Sequence, residues 1–177
     1  MGDIMILNLN KITDEMVLCD YTIYQETISP IDNYTMYKIS RNSSSNPMGI
    51  SYSCMIYLEN GRITPQEILI NSETNIIEKV TLFVSKNINY KISLANYLIT
   101  EKMFECNIEL NECTIDWKGR FLKIVKESLF LWGEKENLIY LIFSDAPKKL
   151  NAYYISKNFK ILVDDYKNIQ GFSLMQQ

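Results

Sequence analysis

The sequence predicts a mainly β (or α+β) fold: antiparallel sheets built from hairpins, packed as a sandwich or curled sheet with one or two short helices. Three observations predict it. Apolar residues alternate with period two in segment after segment. Alanine is limited to Ala95, Ala146 and Ala152, while Ile, Tyr and Thr are plentiful, which favours strands over helices. Asn, Ser, Gly and Pro punctuate the alternating runs, and these are the residues that turn a chain. A length of 177 residues supports a sizeable core and is read as a single globular domain over 1–177.

The first element, "TDEMVLCDYTIYQE", opens with an N-cap-like Thr13 followed by Asp14 and Glu15, and predicts a short helix. "YTMYKIS", Tyr34–Ser40, alternates and predicts a strand. "RNSSSNPMG", Arg41–Gly49, is a loop by composition. A strand from Tyr52 to Leu58 follows, then "ENGR", whose Asn60-Gly61 is a hairpin signal. "EILIN" and "KVTLFVS" flank "NSETN". Ile68 and Ile70 share a face, as do Val80, Leu82 and Val84, so the segment reads as an antiparallel hairpin. Pro65 lacks an N–H and suits a strand's first residue or an edge.

"ISLANYLITEKM", Ile92–Met103, places Leu94, Leu98 and Ile99 at helical spacing and predicts a second short helix. "FECNIEL" puts Phe104, Cys106, Ile108 and Leu110 on one face and Glu105, Asn107, Glu109 and Asn111 on the other. A turn near Asn111-Glu112 lets Cys113, Ile115 and Trp117 continue the core. Residues 120–133 fit either a helix face or two short strands around "KES"; the aromatics and Gly133 favour strands. "NLIYLIFSDAP" reads as a strand buried on both faces and stopped by Pro147. "AYYISKNFKILVDD" reads as a hairpin with a "SKN" turn. No internal repeat stands out at a fixed period.

Composition narrows the function. The chain has no histidine, which removes the commonest general base, the Ser-His-Asp and Cys-His schemes and the commonest zinc ligand. No phosphate-binding glycine loop occurs. No cofactor or metal is expected, and no catalytic residue is assigned. Asp164-Asp165 close a strand and fit a turn better than a general base or a metal site. Cys54, Cys106 and Cys113 sit in apolar alternation, as small buried hydrophobes; a Cys106–Cys113 disulfide is the lesser alternative. The net charge of −3 argues against nucleic acid as a partner. No apolar run approaches the roughly 20 residues that span a bilayer, and a cytoplasmic location without membrane contact is expected.

Protein recognition is what remains. Residues 1–89 hold 6 basic and 10 acidic side chains, so the front half offers an acidic face to a cationic partner. Tyr153 and Tyr154 point to opposite faces of their strand, which exposes one of them. The candidate protein-binding residues are Glu105, Glu109, Glu112, Tyr153, Tyr154, Asp164 and Asp165. Two other readings stand beside this one: a small histidine-free, carboxylate-based enzyme, and a structural subunit that self-associates through exposed strands.

The stretch "GRITPQEILINSETNIIEKVTLFVS", Gly61–Ser85, resembles small bacterial proteins grouped with polymorphic-toxin immunity proteins. The shared pattern is a turn, a Pro, an "EILI" strand, a Thr-containing turn and a "VTLFVS" strand. The resemblance implies a cytoplasmic antitoxin that binds one cognate, basic toxin domain, with Glu105, Glu109 and Glu112 on an acidic rim that steers association.

Overall fold

Alternation in the sequence becomes pairing in the computed structural model, which describes residues 4–9, 21–29, 31, 33–42, 51–58, 65–71, 77–102, 106–111, 121–126, 128–156 and 158–176. Its strands are β1 (Ile4–Leu9), β2 (Tyr21–Ser29), β3 (Tyr34–Arg41), β4 (Ser51–Leu58), β5 (Gln66–Asn71), β6 (Ile77–Ser85) and β7 (Leu98–Lys102). They continue as β8 (Cys106–Asn111), β9 (Phe121–Lys126), β10 (Phe130–Lys135), β11 (Leu138–Phe143), β12 (Lys149–Ser156), β13 (Phe159–Val163) and β14 (Ile169–Met175). Two 3-10 turns, Ile88–Tyr90 and Leu94–Asn96, supply the helical structure among the described residues. The fold is mainly β, as the alternation predicts.

The strands form two six-stranded sheets, ordered β2-β3-β6-β5-β4-β9 and β10-β11-β14-β13-β12-β7, and a separate β1-β8 pair. The inner faces of the two large sheets meet in one hydrophobic core. Tyr37, Ile39, Ile68, Ile70 and Leu82 from the first sheet are sealed there with Ile139, Phe159, Ile161 and Phe172 from the second. Each aliphatic or aromatic side chain of this kind contributes about 1.5–3 kcal/mol on full burial.

The two sheets share one topology. In each, five consecutive strands are laid out so that the first two lie beside the fifth, then the fourth, then the third, all antiparallel. A sixth strand joins the third in parallel: β9 beside β4, and β7 beside β12. The register matches as well. Ile39 of β3 lies between Ile23 of β2 and Val80 of β6, and Leu141 of β11 lies between Trp132 of β10 and Phe172 of β14. All six face the shared core.

A β-bulge recurs at the corresponding place. The register slips between Leu69 and Ile70 in β5 and between Leu162 and Val163 in β13, leaving Glu78 and Gln170 as the extra residues. The loops between corresponding strands differ in length, so the spacing drifts along the chain and no constant period survives in the sequence.

Both helix expectations are corrected. Tyr21–Glu26 belongs to strand β2; Thr13–Asp20 lie outside the described residues. Ile92–Met103 contains one 3-10 turn and strand β7, with Met103 outside the described residues. Helical spacing there was real but incidental. Ile92, Leu94, Tyr97 and Ile99 pack on the outer face of the second sheet against Tyr140, Ile142, Leu150, Ala152 and Leu162. An extended chain covers that face, and pairing with β12 outweighs local preference. The segment is stitched to β10, where Ile92 N donates to Trp132 O and Trp132 Nε1 donates to Asn87 O, each at 2.8 Å.

The other readings hold where they can be compared. The described residues of 120–133 include two strands, β9 and the start of β10, and no helix. The β11 segment has Ile139–Phe143 buried throughout, as its unbroken apolar run requires. The β5–β6 hairpin starts after Pro65, and one detail follows from that proline. The next rung of the ladder beyond Glu67↔Thr81 would bring Phe83 opposite Pro65, which has no N–H. Gln66 supplies the missing bonds: its Oε1 accepts from Phe83 N at 2.6 Å and its Nε2 donates to Phe83 O at 3.2 Å. The expected loop at 43–49 and the turns at Asn60-Gly61 and 72–75 lie outside the described residues.

Candidate interaction surface

One end of the second sheet is built by Asp164. It follows β13, and its carboxylate accepts four N–H groups: Tyr166 N and Asn168 N on Oδ1, both at 2.9 Å, and Asn168 Nδ2 (3.0 Å) and Gln170 Nε2 (2.9 Å) on Oδ2. Asp164 N donates to Asn168 O and Lys167 N donates to Asp164 O, closing the turn, with Lys167 at φ 67°. Aspartate is suited to this because a short acceptor side chain can bond backbone N–H groups two to four residues ahead. The turn presents Tyr166, which is 83% exposed.

The next residue, Asp165, accepts from Lys149 Nζ at 2.9 Å and from Asn151 Nδ2 at 3.4 Å. The hydrogen bond from Lys149 holds the Asp165 carboxyl below the usual carboxylate range. Lys149 is the register partner of Leu98, whose N–H donates to Lys148 O at 2.7 Å and whose side chain is 65% exposed. Lys148 Nζ lies over the Tyr97 ring, 4.1 Å from its centroid. Leu98, Lys149 and Asp165 are thus linked, with Tyr166 next in the chain, whereas Lys148 lies over Tyr97 on the outer face.

Farther along the same strands, on the outer face, Lys160 Nζ lies 2.5 Å from Glu101 Oε1, and Tyr154 OH donates to Glu101 Oε2 at 2.5 Å. The ammonium also sits over the Tyr154 ring, 4.4 Å from its centroid. Burial alone would lower the Lys160 pKa, but the hydrogen bonds to Glu101 and Tyr154 hold it above its ordinary value. Glu101 is lowered by the Lys160 hydrogen bond first and the Tyr154 bond second. Tyr154 is raised, by burial first and its bond to Glu101 second. Ser173, the cross-strand partner of Lys160, is buried, and its Oγ has no hydrogen-bond partner among the described residues. This cluster is closed on itself and ties the edge strand β7 to the sheet.

Three further apolar side chains are exposed: Ile28 near the end of β2, Ile31 after it, and Ile88 in the first 3-10 turn. Asn33, just before β3, is tied to the chain leaving β6: Lys86 N donates to Asn33 O at 2.9 Å and Asn33 Nδ2 donates to Lys86 O at 2.8 Å.

The sequence-derived candidates fall in different places. Asp164 and Asp165 build and brace the exposed turn. Tyr154 is half-buried in the Glu101–Lys160 cluster, and Tyr153 points the other way, into the core. Glu109 lies in β8 opposite Ile6 of β1, while Glu105 and Glu112 lie outside the described residues. Tyr166, Leu98, Glu101 and Lys160 were not singled out. Lys160 alone left a signal, a lysine inside the apolar run "FKILV".

Among the described residues, no three His, Cys, Asp or Glu side chains converge on a metal position, and Cys54 is a buried free thiol. No described helix is long and apolar enough to cross a membrane. The fold and these surfaces define a β-sandwich with rigid, turn-borne apolar side chains. In comparison with known protein families and with curated proteins, the chain has no significant match.

Proposed function

We propose that this chain is a protein-binding module and, more specifically, a cytoplasmic immunity protein that neutralises a cognate toxin domain by direct binding. The observation that carries the binding role is the placement of large apolar side chains. Tyr166 and Leu98 stand in water on backbone that is hydrogen-bonded in place, and Ile28, Ile31 and Ile88 are exposed as well. Apolar side chains gathered on a preformed surface fit a protein partner, because little ordering entropy opposes their burial. The toxin-directed part of the proposal rests on the resemblance of Gly61–Ser85, whose described residues form the β5–β6 hairpin.

The test is co-expression with the C-terminal domain of a large secreted protein encoded just upstream of this chain. Rescue of growth, with co-purification of the two chains, is the expected result. Unrescued growth together with no complex overturns the immunity reading.

A further inference from the structure

We infer that β2 pairs edge to edge with β2 of a second copy of this chain, antiparallel and across a two-fold axis at Gln25. This goes beyond the toxin-directed reading and does not depend on it.

β2 stands at the end of the first sheet, with β3 on one side and no described strand on the other. Thr22 and the whole run Tyr24–Ile28 are exposed, with Tyr24 at 52% and Ile28 at 49%. Side chains alternate across a strand, so five exposed residues in succession leave both of its faces open. The register with β3 runs unbroken from Tyr21 to Thr27 and slips only at Ile28. Tyr24–Thr27 is therefore regular extended chain standing in water.

The other end strands of the two large sheets are guarded. β7, β9 and β10 each end in a lysine: Lys102, Lys126 and Lys135. β7 is also only five residues long. β10, the counterpart of β2 in the shared topology, is bonded from its far side by the chain's own Lys91 and Ile92, which meet Trp132. Lysine, brevity and a covering segment keep an edge from pairing with another chain. β2 has nine residues, no lysine, no proline and one charge, Glu26.

An edge of this kind presents a row of backbone N–H and C=O groups, and what it takes is another strand. The side chains of β2 suit its own copy. With the axis at Gln25, Tyr24 stands opposite Glu26 in both directions and Gln25 opposite Gln25. Each carboxylate meets a phenol, and no two charges face one another. An axis at Glu26 would oppose like charges. A single carboxylate gives a foreign strand little to be selected by, whereas a self-complementary patch closes as an isologous dimer. The contact is short, so the dimer is weak and forms as concentration rises.

Two measurements test this. The first is sedimentation equilibrium at concentrations rising to about 1 mM. The wild-type mass should climb from the 20.7 kDa of one chain toward twice that value. Gln25→Lys sets two ammonium groups face to face on the axis and should weaken association about tenfold or more. Leu98→Lys, on the β7 edge, should behave like the wild type. A mass that stays at one chain throughout, or a dimer that Gln25→Lys leaves intact, overturns the inference.

The second measurement uses the wild type alone. Amide hydrogen exchange is compared at low and high concentration. Slowing with concentration at alternate amides within Tyr24–Thr27 supports the pairing. Slowing at β7 or β9 instead overturns it. Slowing at Tyr24–Thr27 only when the upstream-encoded toxin domain is added also overturns it, and assigns the edge to a foreign strand.

Discussion

Lys160 and Glu101 meet at 2.5 Å, but they do not share an environment: the lysine side chain is 5% exposed and the glutamate 50%. One end of the ion pair is embedded among strands, and the other reaches in from the edge strand β7. The two partners are therefore not interchangeable in what their removal does.

Removing Glu101 leaves a buried ammonium without its counter-charge; removing Lys160 leaves a carboxylate that water can reach. Glu101→Ala should cost about 2–3 kcal/mol, and Lys160→Met about 0–1 kcal/mol, because an apolar chain of similar length fills the lysine's space. At this chain length each kcal/mol lowers Tm by roughly 2–4 °C. Equal losses in thermal unfolding, or the reverse order, would refute the asymmetry.

The same pair sets a pH window. Glu101 has a folded pKa below its unfolded one, so its contribution is present above the ordinary carboxylate range, about 4.3, and is lost as pH falls through the folded value. Lys160 is raised, so its contribution is present below about 10.4 and is lost as pH rises through its folded value. The Tm difference between wild type and Glu101→Gln should be steady at neutral pH and shrink toward both extremes. A gap that stays constant from neutral pH down to about 3 contradicts this.

Gly171 and Gly133 look alike in sequence and differ in what surrounds them. A Cβ on Gly171 would stand 2.1 Å from Leu141 O and 3.0 Å from Ile142 Cα, both backbone atoms of the neighbouring strand β11. At Gly133 the nearest atom is Leu94 Cγ at 2.9 Å, on a side chain that can turn, with Ile92 O at 3.1 Å. Gly171→Ala should destabilise by about 3 kcal/mol or more and Gly133→Ala by about 1–2 kcal/mol. Urea unfolding of the two variants gives the comparison, and a milder Gly171→Ala would show that β11 and β14 can separate.

Much of the fold was legible because one face of each strand is buried. Val80, Leu82 and Val84 against Thr81 and Phe83 state the strand and its inward side at once. Tyr153 and Tyr154 likewise had to diverge. What misled was short apolar spacing: Leu94, Leu98 and Ile99 satisfy a helical period, and only the existence of the outer face they cover decides for extended chain. The site was less legible. Asp164-Asp165 marked a strand end correctly, but the exposed residue was the next one, Tyr166. Lys160 and Glu101 lie on β13 and β7, which never pair directly; β12 stands between them. Nothing local in the sequence couples them.

The shared topology has a consequence for how the molecule holds together. β7 follows the first five-strand unit yet completes the second sheet, and β9 precedes the second unit yet completes the first. Each half closes the other's edge, like two clasped hands. A nick between β7 and β9 would leave each fragment carrying or lacking a strand that belongs elsewhere, so the halves are built to melt together and to reassociate after scission rather than to live apart.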